Sequence, residues 1–104
     1  MEIDYSSNKL KKILEDELLI KKYYTNICTQ LKNRLTELRT ADCLKDIPET
    51  PPPRRHKLTG NKNEKWGISV SKNQRLILEP DGDYDINDLT TIKSIKIISI
   101  EDYH

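Results

Sequence analysis

Apolar positions recur along this chain in three rhythms. In residues 1–5, Ile3 stands between charged residues, the pattern of a short strand. Ser6 or Ser7 can then cap a helix, and Leu10, Ile13, Leu14 and Leu18 recur at helical spacing. The spacing predicts a helix over 7–23, its apolar face widened by Leu18-Leu19-Ile20. Tyr24, Ile27, Cys28, Leu31, Leu35 and Leu38 repeat the spacing in a shifted register. They predict a second helix over 25–41, broken from the first near residues 23–25 and capped by Thr25 or Asn26. One bent helix is the alternative. A short helical turn can follow within 41–47.

Pro48 and the run Pro51-Pro52-Pro53 end helix formation and predict a stiff, extended segment. Beyond it the period falls to two. Trp66, Ile68 and Val70 alternate with Gly67, Ser69 and Ser71, the mark of a half-buried strand. Lys72-Asn73 suits a tight turn, and 75–79 returns with Leu76 and Leu78 on one face. Pro80-Asp81-Gly82 is a turn, 87–91 is irregular or one helical turn, and the isoleucine-rich 95–100 is the best-buried strand. One α+β domain over 1–104 follows: an N-terminal strand, two helices, then three or four strands in a mainly antiparallel sheet with the helices on one face.

Composition narrows the function classes. With 35% hydrophobic and 34% charged residues the core is thin, but the regular patterning is not that of a disordered chain. No apolar run approaches the ~18 residues of a membrane span. Residues 1–5 lack the regions of a secretion signal, and Cys28 and Cys43 make no disulfide framework, so a cytoplasmic location is expected. Both cysteines fit buried free thiols.

The net charge of +1 hides a strong asymmetry. Between 54 and 75, Arg54, Arg55, Lys57, Lys62, Lys65, Lys72 and Arg75 face Glu64 alone, while 76–104 carries seven acids against Lys93 and Lys96. A local block of this kind either forms a positive face for polyanions or is merely a solvated surface. Asp81, Asp83, Asp85 and Asp88 do not form a calcium loop, because Ile86 and Ile92 occupy the positions that require Gly and Glu. Cys28, Cys43, His56 and His104 lack the paired spacing of a zinc site. No phosphate-binding glycine loop or dinucleotide motif is present.

The remaining chemistry centres on two histidines. His56 lies within Arg54-Arg55-His56-Lys57, and His104 follows Asp102 and Tyr103. Imidazoles titrate near neutrality, so the pair can act as acid and base, with Asp102 orienting a ring and the cations stabilising charge on a phosphate. These are the components of a ribonuclease that uses the RNA 2′-OH as nucleophile and needs no metal. The bland alternative is a frayed terminus and a loop histidine.

Six segments occur in a fixed order. They are Leu10-Lys11-Lys12-Ile13-Leu14, Lys32-Asn33-Arg34-Leu35 through Leu38-Arg39, and Arg55-His56-Lys57-Leu58-Thr59-Gly60. Lys65-Trp66-Gly67-Ile68-Ser69-Val70, Arg75-Leu76-Ile77 and Asp102-Tyr103-His104 complete the set. The H-x-L-x-G element and terminal D-Y-H are the most specific parts. In these segments the chain resembles the HigB-type toxins of the RelE/ParE superfamily. The resemblance implies a RelE-like fold with a curved sheet, and a ribosome-dependent mRNA endoribonuclease without cofactor. It implies catalytic roles for His56, Asp102, Tyr103 and His104, and phosphate contacts by Lys57 and Arg75. Charge alone adds Arg54, Arg55 and Lys62. The expected partners are a helix-turn-helix antitoxin, the ribosome and mRNA, with operator DNA reached only through the antitoxin complex. The acidic insert 81–88 departs from the smallest members of the family. A ParE-like gyrase inhibitor on the same fold and a non-catalytic RNA-binding module are the competing functions.

Overall fold

A computed structural model describes residues 1–59 and 64–102. The strand β1 (Glu2–Tyr5) leads into helices α1 (Asn8–Leu14), α2 (Glu17–Tyr23) and α3 (Cys28–Thr40). Strands β2 (His56–Lys57), β3 (Trp66–Ser69), β4 (Gln74–Pro80) and β5 (Ser94–Asp102) follow. They form one open sheet in the order β1-β5-β4-β3-β2. β1 runs parallel to β5, and the other neighbours are antiparallel. The α+β architecture is the expected one.

The helical region is cut differently from the expectation. Ser7 caps α1 through its Oγ, which accepts from the Leu10 amide at 3.1 Å. The predicted 7–23 helix then divides at Asp16, whose Oδ1 accepts from the amides of Leu18 at 2.9 Å and Leu19 at 3.4 Å. This cap starts α2 afresh, because a carboxylate that satisfies orphan amides competes with continuation of the preceding turn. The new register leaves Leu18, expected on the apolar face, 78% exposed. Residues 25–27 form a 3-10 turn before α3, which no side chain caps. Thr25, an expected cap, instead donates its hydroxyl to the Lys21 carbonyl at 2.7 Å.

The proline run also differs from the extended segment expected. It bends back, with the Arg54 amide donating to Thr50 O and the Arg55 amide to Pro48 O. Pro53 then lies along β3, its carbonyl accepting from the Ser69 amide. A run of prolines provides few amide donors, so the flanking residues close the turn.

The helices cover one face of the sheet. Leu14, Leu31, Leu35 and Leu38 pack with Ile68, Leu76, Leu78, Ile95 and Ile97 in a single core. Full burial of each such side chain contributes ~1.5–3 kcal/mol. No described helix is long and apolar enough to cross a membrane. The acidic segment is an ordered loop: Gly82 takes φ +73° in its turn, and Asp88 caps a 3-10 turn at Leu89–Thr91 through the Thr90 amide.

Candidate active site on the open face

Strand pairing decides which side chains share the uncovered face. His56 lies opposite Gly67, Gly67 opposite Ile77, and Ile77 opposite Ser99. One step along, Ser69 lies opposite Arg75, and Arg75 opposite Glu101. Residues in register point to the same side, and Leu76 and Leu78 face the helices, so this set faces away from the core. Ile77, 1% exposed, and the buried Leu58 give that face a small apolar floor. Lys65 and Glu79 form an ion pair at 3.8 Å beyond it.

His56 is held in two ways. Its Nδ1 bonds the Arg54 carbonyl at 2.9 Å. A carbonyl only accepts, so Nδ1 carries the hydrogen and Nε2 bears the lone pair of the neutral ring. Arg54 reaches this position in the left-handed region, at φ 48°, unusual for a residue with a β-carbon. The ring also lies tight against Gly67, where a β-carbon would stand 2.9 Å from Cε1 and 3.0 Å from Nε2. Only glycine leaves that space. A half-buried imidazole with its basic nitrogen assigned can take or give a proton on the open face.

Arg75 stands two strands from His56 and two residues along, roughly 12 Å between Cα atoms. An arginine and an imidazole can bridge that span with a phosphate between them. Glu101 flanks Arg75 on the same face, and Ser99 donates its hydroxyl to Glu101 Oε2 at 2.9 Å.

Other expected site residues lie elsewhere. Asp102 pairs with Gln74, on the side of the sheet opposite to His56 and Arg75. The cause is a β-bulge: Ile77 faces Ser99 but Leu78 faces Ile97, so Ile98 is an extra residue that reverses the alternation. Glu101 thus takes the face a regular strand would give Asp102. Lys57 is exposed on the other side of β2, paired with Trp66.

Arg55, expected to contact phosphate, is 6% exposed and holds the fold instead. Its Nε donates to Ile47 O at 2.7 Å, its guanidinium lies 5.3 Å from the Trp66 ring centroid, and Glu49 stands 3.5 Å away. Lys62, Tyr103 and His104 lie outside the described residues. Among the described residues no group of three His, Cys, Asp or Glu side chains could hold a metal ion.

Sequence reasoning missed Gly67, Glu101, Ser69 and Ser99. Gly67 stands inside the Lys65–Val70 segment, where a glycine within a strand signals close approach of another group.

No protein-family model and no curated protein matches the chain. Solved structures do. A YoeB/ParE toxin from Agrobacterium tumefaciens aligns over 100% of both chains, with a TM-score of 0.60 at 10% identity. The chain has this toxin's fold. A YoeB-YefM complex from Staphylococcus aureus gives 0.56 at 17% identity, covering 100% of this chain and 97% of that one. A YoeB dimer from the same organism gives 0.55 at 17% identity over the same shares. A further S. aureus structure is a heterotetrameric YoeB-YefM toxin-antitoxin complex.

Proposed function

We propose that this protein is the toxin of a type II toxin–antitoxin pair and a ribosome-dependent mRNA endoribonuclease. The observation that carries the reading is the built position of His56. Arg54 O fixes its tautomer, and Gly67 gives it room on the same face as Arg75. A pure inhibitor needs no oriented imidazole. The H-x-L-x-G element around His56 and the terminal Asp102-Tyr103-His104 favour the HigB-type branch.

The reaction uses the RNA's own 2′-OH. A base removes its proton, the 2′ oxygen attacks the adjacent phosphorus, and the bond to the 5′ oxygen breaks. That oxygen leaves with a donated proton, so the products carry a 2′,3′-cyclic phosphate and a free 5′-OH. Two proton-transfer groups are needed. His56 Nε2 is one, and His104 is the other, with Tyr103 stacking on a base or touching phosphate. Arg75 neutralises the charge that grows on the phosphoryl oxygens, a contribution of about 2–4 kcal/mol for one well-placed donor. Glu101, the register partner of Arg75, places a carboxylate beside the guanidinium on the same face. Asp102 ends β5 and carries the chain to Tyr103 and His104. The ribosome supplies a strand already held in the geometry of in-line attack, which is worth several orders of magnitude.

The partner is a small helix-turn-helix antitoxin that suppresses toxicity and, in complex with this chain, binds the operator. YoeB-YefM complexes on the same fold support an antitoxin partner. Primer extension on translated mRNA after induction tests the proposal. Discrete cuts within codons are expected. DNA breaks with intact mRNA would instead mean gyrase poisoning.

A further inference from the structure

A groove of about 470 Å³ opens beside the candidate site, between α3, the proline turn and the β3–β4 turn. Arg34, Arg54 and Lys72 line it, with Asn33, Ser69 and Ser71 as neutral polar neighbours and no carboxylate in the lining. A lining that carries cations and no carboxylate favours an anionic occupant.

Two further observations tie the groove to a ligand. Arg34 is only 6% exposed, yet its Nε has no hydrogen-bond partner. Its Nη2 meets Glu37 at 2.8 Å, and Glu37 lines a separate hollow rather than this groove. A buried donor left unsatisfied is costly, so a charge kept in this position signals a role beyond packing. The groove also adjoins the candidate site through Ser69 and Arg54. Ser69 lies in its wall and opposite Arg75 on the open face. The left-handed bend at Arg54 turns its carbonyl to His56 while the residue itself lines the groove.

We propose that this groove holds the phosphodiester backbone of the substrate RNA on one side of the cleavage point. Lys72 and Arg54 make the cationic contacts, and Arg34 offers its unsatisfied Nε–H donor from the lining. The proposal rests on reading the open face as a ribonuclease site. A strand whose reacting phosphate lies between His56 and Arg75 passes over Ser69 and enters the groove with its next phosphates. Cationic contacts of this kind track the phosphate backbone and position the strand without reading its bases.

The test uses the full chain carrying His56→Ala, which removes cleavage, and a fluorescein-labelled short single-stranded RNA in an anisotropy titration over a salt series. Adding Lys72→Glu should weaken binding at least about fivefold, and adding Lys72→Ala should flatten the salt slope by about 0.7 for one lost phosphate. Lys72 is exposed in a turn, so folding is not at stake. Lys21→Glu, exposed on α2, is the control for net charge. Equal losses in Lys21→Glu and Lys72→Glu, or no loss in either, would overturn the proposal. A second arm sediments the same proteins with ribosomes free of mRNA. Weaker ribosome binding with unchanged oligonucleotide binding would assign the groove to ribosomal RNA and overturn the substrate reading. A Lys72-dependent loss of RNA binding in a chain whose wild type cuts no mRNA would uphold the groove and defeat the nuclease proposal alone.

Discussion

The imidazole of His56 lies so close to Gly67 that a β-carbon on the glycine would stand 2.9 Å from Cε1. The candidate proton-transfer group is therefore positioned by the absence of a side chain on the next strand. Gly67→Ala should displace the ring while leaving the strand intact, at a cost of about 1–3 kcal/mol in stability for the added methyl. Activity should fall by ~10²-fold, the scale of a small misplacement at a reacting centre. Thermal melting and toxicity on induction check this together. A folded, fully toxic variant would remove the Gly67 contact from the account.

His56→Ala should keep the fold, because the ring belongs to no part of the helix-side core. Loss of one proton-transfer group predicts a ~10²–10⁴-fold slower cleavage. Circular dichroism with ribosome-bound cleavage rates separates this from unfolding.

Arg55→Ala should act on stability, not on chemistry. The guanidinium bonds Ile47 O and stacks against Trp66, so its loss should cost ~1.5–3 kcal/mol, typical for a hydrogen bond to a charged group. Denaturant unfolding measures the cost. A stable variant with impaired RNA cleavage would return Arg55 to the phosphate contacts.

Hydrogen bonds from the Thr90 hydroxyl and amide hold the Asp88 carboxyl below its ordinary value. The unfolded chain then binds this proton more readily than the folded one, so the contribution is present above the unfolded carboxylate range and fades as pH falls through the folded value. Asp88→Ala should lower Tm at neutral pH, with the gap to wild type closing on acidification. A gap independent of pH would mean that the capping turn does not depend on the charge.

β3 and β4 were legible because period-two alternation is a strong signal: Trp66, Ile68, Leu76 and Leu78 all reach the core their spacing implies, whereas the two residues of β2 are too few to show a period. Helix ends were less so. Asp16 could be read as one polar residue within an amphipathic run, and only its cap bonds to Leu18 and Leu19 divide the run in two. His56 was named from its chemistry and Arg75 from the family resemblance, and strand register sets both on the open face. The candidate site was not legible at the terminus. The bulge at Ile98 has no residue signature, yet it reverses the faces of Glu101 and Asp102. Arg55 misled for a similar reason. Nothing in an Arg-Arg-His-Lys run tells which arginine turns inward, and the fold settles this by setting one against Trp66 and Ile47 O.

The central claim is that the open face of this sheet cuts RNA through the 2′-OH with His56 transferring a proton. The measurement that tests it most directly is cleavage of a defined mRNA on translating ribosomes in a reconstituted system, with the product ends identified. The account predicts discrete cuts that leave 2′,3′-cyclic phosphate and 5′-OH ends with the wild-type chain, and at most a hundredth of that rate with His56→Ala. Intact mRNA with the wild-type chain, or equal cutting by the His56→Ala chain, would contradict it.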